Sequence, residues 1–349
     1  MTRLALVVPG AIDTRTGGYE YDRRIAAGLR ARGHHVDIVE LAGRFPVASD
    51  TAIADAGRVL AALPDRLTIL VDGLALGAIS DAVEREARRL RIVALVHMPI
   101  GEESGLDPAL TARLQAAERR ALEAASLIVA TGARTIESLA RSGLPRERLA
   151  LVEPGTDPAP LARGSRDPST VHLACVATVG PGKGHDVLLA AVAALPSRGW
   201  RLTCAGSLDR HPATAKALRE TIRAQRLGER VSLVGELDPE ALARLYDSAD
   251  VFVLATRHES YGMSVAEALS RGLPIVSTTT GAIPALVGGD AGVLVAPGDA
   301  DAFTRALASV AGDPTLRAKL AEGARRARHR LPTWETAAAA MDAAIAGRI

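Results

Sequence analysis

The chain's 349 residues exceed what one ordinary core organises, so two domains are the first expectation. Its 48% apolar and 23% charged residues exclude a disordered chain, and a net charge of +2 offers no excess for nucleic acid or an anionic membrane to select. At 3%, aromatics are too scarce for the stacking platforms of single-strand binders, so no nucleic-acid partner is expected.

The opening run MTRLALVVPG is short and ends in Pro-Gly, without the long apolar region and cleavage site of a signal peptide. No stretch approaches the ~20 apolar residues of a membrane span. A cytoplasmic protein without a transmembrane segment is expected, with peripheral membrane contact left open. Strand-like runs then alternate with helical periodicity. Strands are predicted at 4–8, 36–40, 67–71, 92–96, 127–130 and 149–152, with helices such as 19–32, 107–124 and 135–142 between them. Arg85, Arg88, Arg89 and Arg91, interleaved with Glu84 and Glu86, read as a solvated helix face. Residues 154–170, PGTDPAPLARGSRDPST, lack apolar periodicity and read as an interdomain connection.

The alternation restarts with strands at 171–177, 201–205, 231–234, 251–254, 275–277 and 293–295, and a largely helical run begins near Leu320. Apolar strands alternating with helices mean α/β architecture, with parallel sheets covered on both faces. The prediction is two doubly wound, Rossmann-like domains facing each other across a cleft: 1–158, a linker at 159–169, and 170–332. The final helix, 333–349, is expected to pack back on the first domain. Cys175 and Cys204 sit in separate strand-like runs without CxxC spacing, and read as small core residues rather than a disulfide or metal pair.

Chemistry-bearing residues concentrate after the strands of the second half. In HESYGMSVAEA, Gly262 allows a tight turn into a helix, and the free N–H groups near Tyr261, Met263 and Ser264 suit a diphosphate. Glu259 and Glu267 can flank one ligand and accept hydrogen bonds from sugar hydroxyls. Alone, the pair would also suit a capping acid and a surface glutamate. VATVGPGKG follows the strand at 171–177 and lets Lys183 reach a phosphate; it is not a Walker loop, because Gly184 follows the lysine. Lys183 is one of three lysines beside 39 arginines, and Lys216 and Lys319 lie in surface-like helices. Gly281 in STTTGAIP and Gly235 occupy equivalent strand-end positions. Asp299-Ala300-Asp301 has the spelling of a metal-binding pair, but it follows Pro-Gly and precedes a helix, so it reads as a helix cap; no metal is predicted.

These elements resemble the family 4 (group 1) retaining glycosyltransferases, which have the GT-B fold. The resemblance rests on Glu259-x7-Glu267, Lys183-Gly184, YDSADVFVL ending at Leu254, Gly272-Leu273-Pro274-Ile275-Val276, Gly17-Gly18, Gly33-His34 and Gly155-Thr156-Asp157. It implies transfer of a hexosyl group from a nucleotide-diphosphate sugar, UDP first and GDP second, to an unidentified hydroxyl acceptor, with no cofactor beyond the co-substrate. Glu259, His97 and Lys183 would be catalytic. Gly17, Gly18, Thr178, Lys183, Gly235, Tyr261, Gly262, Met263, Ser264 and Glu267 would bind the donor, Glu267 holding the ribose.

Tyr19, Tyr21 and Met98 would lie on the acceptor side, in loops near 11–21, 72–79 and 98–106. Tyr19, Tyr21, Asp22 and Arg23 equally suit the first turn of a surface helix. His34 reads as a turn residue. Two positions depart from the family pattern: Thr178 stands where an arginine is usual, leaving Arg257 as a substitute phosphate cation, and Ser260 replaces a glycine. An epimerase or phosphorylase on the same fold, the latter needing pyridoxal, and a non-catalytic nucleotide-sugar binder are the alternatives.

Overall fold

A computed structural model describes residues 2–102, 105, 107–196 and 199–347. The chain divides into two compact units, Met1–Gly155 with Pro332–Ile349, and Thr156–Leu331.

The first unit runs β1 (Arg3–Val8), α1 (Gly17–Ala31), β2 (His35–Glu40), α2 (Asp50–Ala61), β3 (Thr68–Asp72), α3 (Gly73–Ala78), α4 (Ser80–Glu86), β4 (Arg91–Val96), α5 (Pro108–Ala124), β5 (Leu127–Ala130), α6 (Ala133–Arg141) and β6 (Leu149–Leu151). The strands form one parallel sheet in the order β2-β1-β3-β4-β5-β6. Strand β1 shows how both faces are filled. Ala5 and Val7 enter one core layer, while Leu4, Leu6 and Val8 enter the other. This period of two, apolar on both sides, is what a parallel sheet covered by helices requires.

The second unit runs β7 (Val171–Val176), α7 (His185–Ala193), β8 (Trp200–Ala205), α8 (Pro212–Ala224), β9 (Val231–Gly235), α9 (Pro239–Asp247), β10 (Val251–Leu254), α10 (Met263–Ser270), β11 (Ile275–Thr278), α11 (Ile283–Val287), β12 (Gly292–Val295), α12 (Ala300–Gly312) and α13 (Pro314–Ala327). Its parallel order is β12-β11-β10-β7-β8-β9. The chain therefore winds outward from β7 through β9, then restarts beside β7 with β10. Several helices begin on an acid followed by proline: Asp238 and Asp313 each cap a helix with Pro at its first position. Asp299 accepts from Ala302 N at 2.8 Å, which makes it the cap of α12.

Helix α14 (Trp334–Ile345) belongs to the first unit and lies along α1. Trp334 meets Tyr21 edge-on with 6.1 Å between centroids, and Asp342 bonds both Arg32, at 3.0 Å, and His34, at 2.9 Å. His34 therefore ties two helices together rather than only turning the chain. Residues 348 and 349 of the expected terminal helix lie outside the described residues.

Two local expectations change. Residues 159–169, read as a linker, are bonded along the second unit: Ala162 N donates to Arg271 O, Arg163 N to Asp247 O, and Ser165 N to Asp250 Oδ1. Residues 72–79, read as a loop, contain α3, because Asp72 caps it by accepting from Leu74 N at 2.7 Å. Cys175 and Cys204 are in-register neighbours on β7 and β8, both free and buried, with His185 Nε2 3.8 Å from Cys175 Sγ. Among the described residues, no helix is long and apolar enough to cross a membrane.

Candidate active site

The second sheet reverses its winding between β7 and β10, and open α/β sheets bind ligands beyond the carboxyl ends of strands at such a point. The loops leaving these two strands carry Lys183 and Glu259. Lys183 Nζ donates to Glu259 Oε2 at 2.8 Å, with the side chains 31% and 18% exposed. Two loops far apart in sequence thus place a cation and a carboxylate together.

The loops are locked by backbone contacts that only glycine permits. Gly184 has φ +65°, and a Cβ there would lie 1.9 Å from Ala255 O. Gly281 has φ +55°, and its Cβ would lie 1.9 Å from Glu259 O. The Gly281 contact joins the loop after β11 to the loop after β10, and Ala282 N adds a bond to Ser260 O at 3.0 Å. Gly206 is held against Ala177 O and donates to Gly235 O at 2.8 Å, which brings in the loops after β8 and β9.

Gly262, at φ +98°, turns the chain into α10 with no side chain capping that helix. The first-turn N–H groups of α10, on Met263 and Ser264, lie outside the helix's own ladder. The dipole there favours an anion. Further along α10, Glu267 Oε2 accepts from the buried Tyr246 hydroxyl at 2.8 Å, which orients the carboxylate. Tyr261 is buried and Thr178 half-buried. Arg257, read as a substitute phosphate cation, is ion-paired within its own unit. Its guanidinium bonds both Asp186 oxygens, at 3.0 and 2.7 Å, and also Pro181 O at 2.8 Å.

In the first unit, Gly17 and Gly18 begin α1, and Gly18 lies against the His97 ring, where a Cβ would meet Cδ2 at 3.3 Å. His97 follows β4. Its Nε2 is 3.1 Å from Asp22 Oδ1 and 3.3 Å from Asp72 Oδ2. Burial opposes the imidazolium, but the charge and hydrogen bond of Asp22, with those of Asp72, lift His97 to about 10. Burial raises Asp22 to about 6 against the pull of His97, because two carboxylates share one cation. Sequence reasoning missed Asp72 and left Asp22 unresolved. An aspartate ending the apolar run TILVD was the available signal for Asp72.

Tyr19 and Tyr21 are core residues, 6% and 1% exposed. Tyr19 Oη bonds Pro9 O, and Tyr21 Oη donates to Val152 O at 3.0 Å. Apolar rings with internally satisfied hydroxyls are set inward by α1, so Tyr21 has no face left for an acceptor. Met98 is half-buried, and residues 103, 104 and 106 of its loop lie outside the described residues.

Residues 170–313 match the family model of the Glycosyl transferases group 1. The chain is 31% identical over 241 residues to a D-inositol 3-phosphate glycosyltransferase of Xylanimonas cellulosilytica, covering 64% of this chain and 57% of that protein. Among the curated relatives it matches, it spans about half their length, 57%, 47% and 44% in three of them. The fold matches sucrose-phosphate synthase from Thermosynechococcus elongatus, with a TM-score of 0.82 at 21% identity over 98% of both chains. It also matches Anabaena HepE in complex with UDP and glucose, with a TM-score of 0.76 at 18% identity over 98% of this chain and 99% of that one. The doubled Rossmann-like architecture is thus shared with solved GT-B glycosyltransferases, and the second sheet lies in the stretch, residues 170–313, that is similar to the group 1 glycosyl transferases.

Proposed function

We propose that the chain is a metal-independent, retaining glycosyltransferase that moves a hexosyl group from a nucleotide-diphosphate sugar to a hydroxyl acceptor, with UDP-sugars the first choice and GDP-sugars the second. The observation that carries this reading is the Lys183–Glu259 pair at the winding reversal, beside the uncapped start of α10. HepE, whose structure holds UDP and glucose, supports a uridine donor by its shared fold.

In this reading Lys183 and the first N–H groups of α10 neutralise the diphosphate, where charge develops as the glycosidic bond breaks. Glu259 accepts from the sugar hydroxyls, and Glu267, oriented by Tyr246, holds the ribose. The anomeric carbon gains oxocarbenium character, as in glycosidases. The acceptor oxygen forms its new bond on the face the leaving group vacates, and its proton passes to the departing diphosphate oxygen. His97, which the family resemblance implies is catalytic, belongs to the first unit. The protein works in the cytoplasm.

A thermal-shift panel of UDP-, GDP-, ADP- and TDP-sugars tests the donor. A ligand at roughly 100 times its Kd adds ~2.7 kcal/mol to stability. Lys183→Ala is expected to abolish that shift and to lower transfer by on the order of 100-fold. Full activity in Lys183→Ala would refute the assignment.

A further inference from the structure

Helix α1 delivers a second feature that family resemblance does not supply. Asp22 is wholly buried, and its Oδ2 has no hydrogen-bond partner among the described residues, while Oδ1 faces His97 Nε2. Asp72, at the end of β3, faces the same nitrogen, and its other oxygen is spent on Leu74 N. With both carboxylates ionised, both oxygens are acceptors, and Nε2 then carries the proton between them. A single buried carboxylate beside an imidazole is satisfied by one proton shared along one bond. Two carboxylates on one nitrogen leave surplus negative charge in a dry site, and the nearest group able to offset it is the ring itself.

The ring is also held mechanically. Tyr21 meets it edge-on at 5.2 Å, Gly18 covers Cδ2, and Thr131 Oγ1 donates to His97 O at 3.2 Å. Of the titratable groups packed against it, Asp22 and Tyr21 come from α1 and Asp72 from β3. The side chain keeps 20% exposure, and Nδ1 has no partner among the described residues.

We infer that Asp22 and Asp72 are positioning residues that hold His97 as an imidazolium, with Nε2–H committed to the two carboxylates and Nδ1–H presented as a fixed donor and positive charge. His97 is then not a general base, because the proton it would have to lose is held by its neighbours. An aimed donor of this kind stabilises negative charge on a bound oxygen without reorganising. The inference rests on the reading of His97 as a site residue, but its central measurement does not need turnover.

The test is a histidine-selective NMR titration of the full chain, with the His97 signals assigned by their loss in His97→Gln. The other seven histidines serve as internal references. Both His97 nitrogens are expected to stay protonated through pH 9 in the wild type. In Asp22→Asn the midpoint should drop by about 1–3 pH units, the effect of removing one close opposite charge. Transfer by Asp22→Asn should fall at pH 8.5 and recover toward wild type near pH 6, where the ring recharges; His97→Gln should show no such recovery. A merely structural aspartate would not give acid rescue. A wild-type midpoint near the ordinary ~6.5, or an unmoved midpoint in Asp22→Asn, overturns the inference. If Asp22→Asn fails to fold, Asp72→Asn takes its place in the same titration with the same expected downward shift. If no donor gives transfer in the wild type, the proposed function fails while the titration still decides this point.

Discussion

Lys183 and Glu259 hold each other as a partly exposed ion pair, and such pairs contribute about 0–1 kcal/mol to stability. Lys183→Ala should therefore leave the urea midpoint almost unchanged while transfer collapses, which separates a chemical role from a folding one. A loss of several kcal/mol would mean that the lysine mainly staples the loops. Glu118 offers a pH-dependent counterpart. Burial pushes its carboxyl up to about 7, partly offset by the Ile100 N–H, with Glu102 adding repulsion. The native carboxyl thus takes up its proton at a higher pH than an exposed glutamate near ~4.3, so native stability falls as pH climbs from about 4.3 to about 7 and is flat above. Glu118→Gln lacks that slope, so the Tm of the variant minus that of the wild type should grow across the interval. A constant difference would show that Glu118 titrates normally. Lys183 and Glu259 were legible because each follows an apolar strand in a glycine-bearing loop. Asp22 was not, since an acid within the polar string YEYDRR has the composition of a solvated helix face.

Helices α1 and α14 show how tightly one seam can be drawn. A Cβ on Gly28 would sit 2.4 Å from Ala338 Cβ. Alanine normally favours a helix over glycine by ~1 kcal/mol, but here overpacking should win and cost about 1–3 kcal/mol. Ala338→Gly should relieve Gly28→Ala in a double-mutant cycle, and additivity of the two changes would show that the helices do not meet there. All twelve strands among the described residues were readable from apolar runs bounded by turn residues, because parallel strands buried on both faces carry that signal undiluted. Helix α3 was not. Six residues of GLALGA are too few to show a period, and the cap that starts it belongs to the preceding strand. The segment at 159–169 was misread for a different reason. Its prolines and glycines report local freedom, whereas its bonds to Asp247, Asp250 and Arg271 come from distant positions.

At the scale of the molecule, one unit is a single stretch, 156–331, and the other is assembled from two pieces. A fragment spanning 156–331 is expected to unfold cooperatively by itself and, under the proposed function, to keep any stabilisation that a nucleotide sugar gives the full chain. A molten fragment, or one blind to every donor that shifts the full chain, would contradict the placement of donor recognition in this unit. Removing residues 332–349 should lower the melting of the first unit selectively, because Met341, Ala344 and Ile345 supply part of its core. Hydrogen exchange would localise the loss to β1, α1 and their neighbours, and a loss confined to the second unit would count against it.

The position of α14 also sets an order of assembly during translation. Gly155 packs against Trp334, so the two pieces of the first unit meet at one spot although the whole of the other unit separates them in the chain. At ~5–20 residues per second, the ribosome needs roughly 10–35 s to add the intervening residues 156–331. Throughout that time the nascent first half carries an apolar groove on α1 that its own closing helix has yet to fill. The later-made half can finish folding first, and the earlier-made half is the natural client for a chaperone.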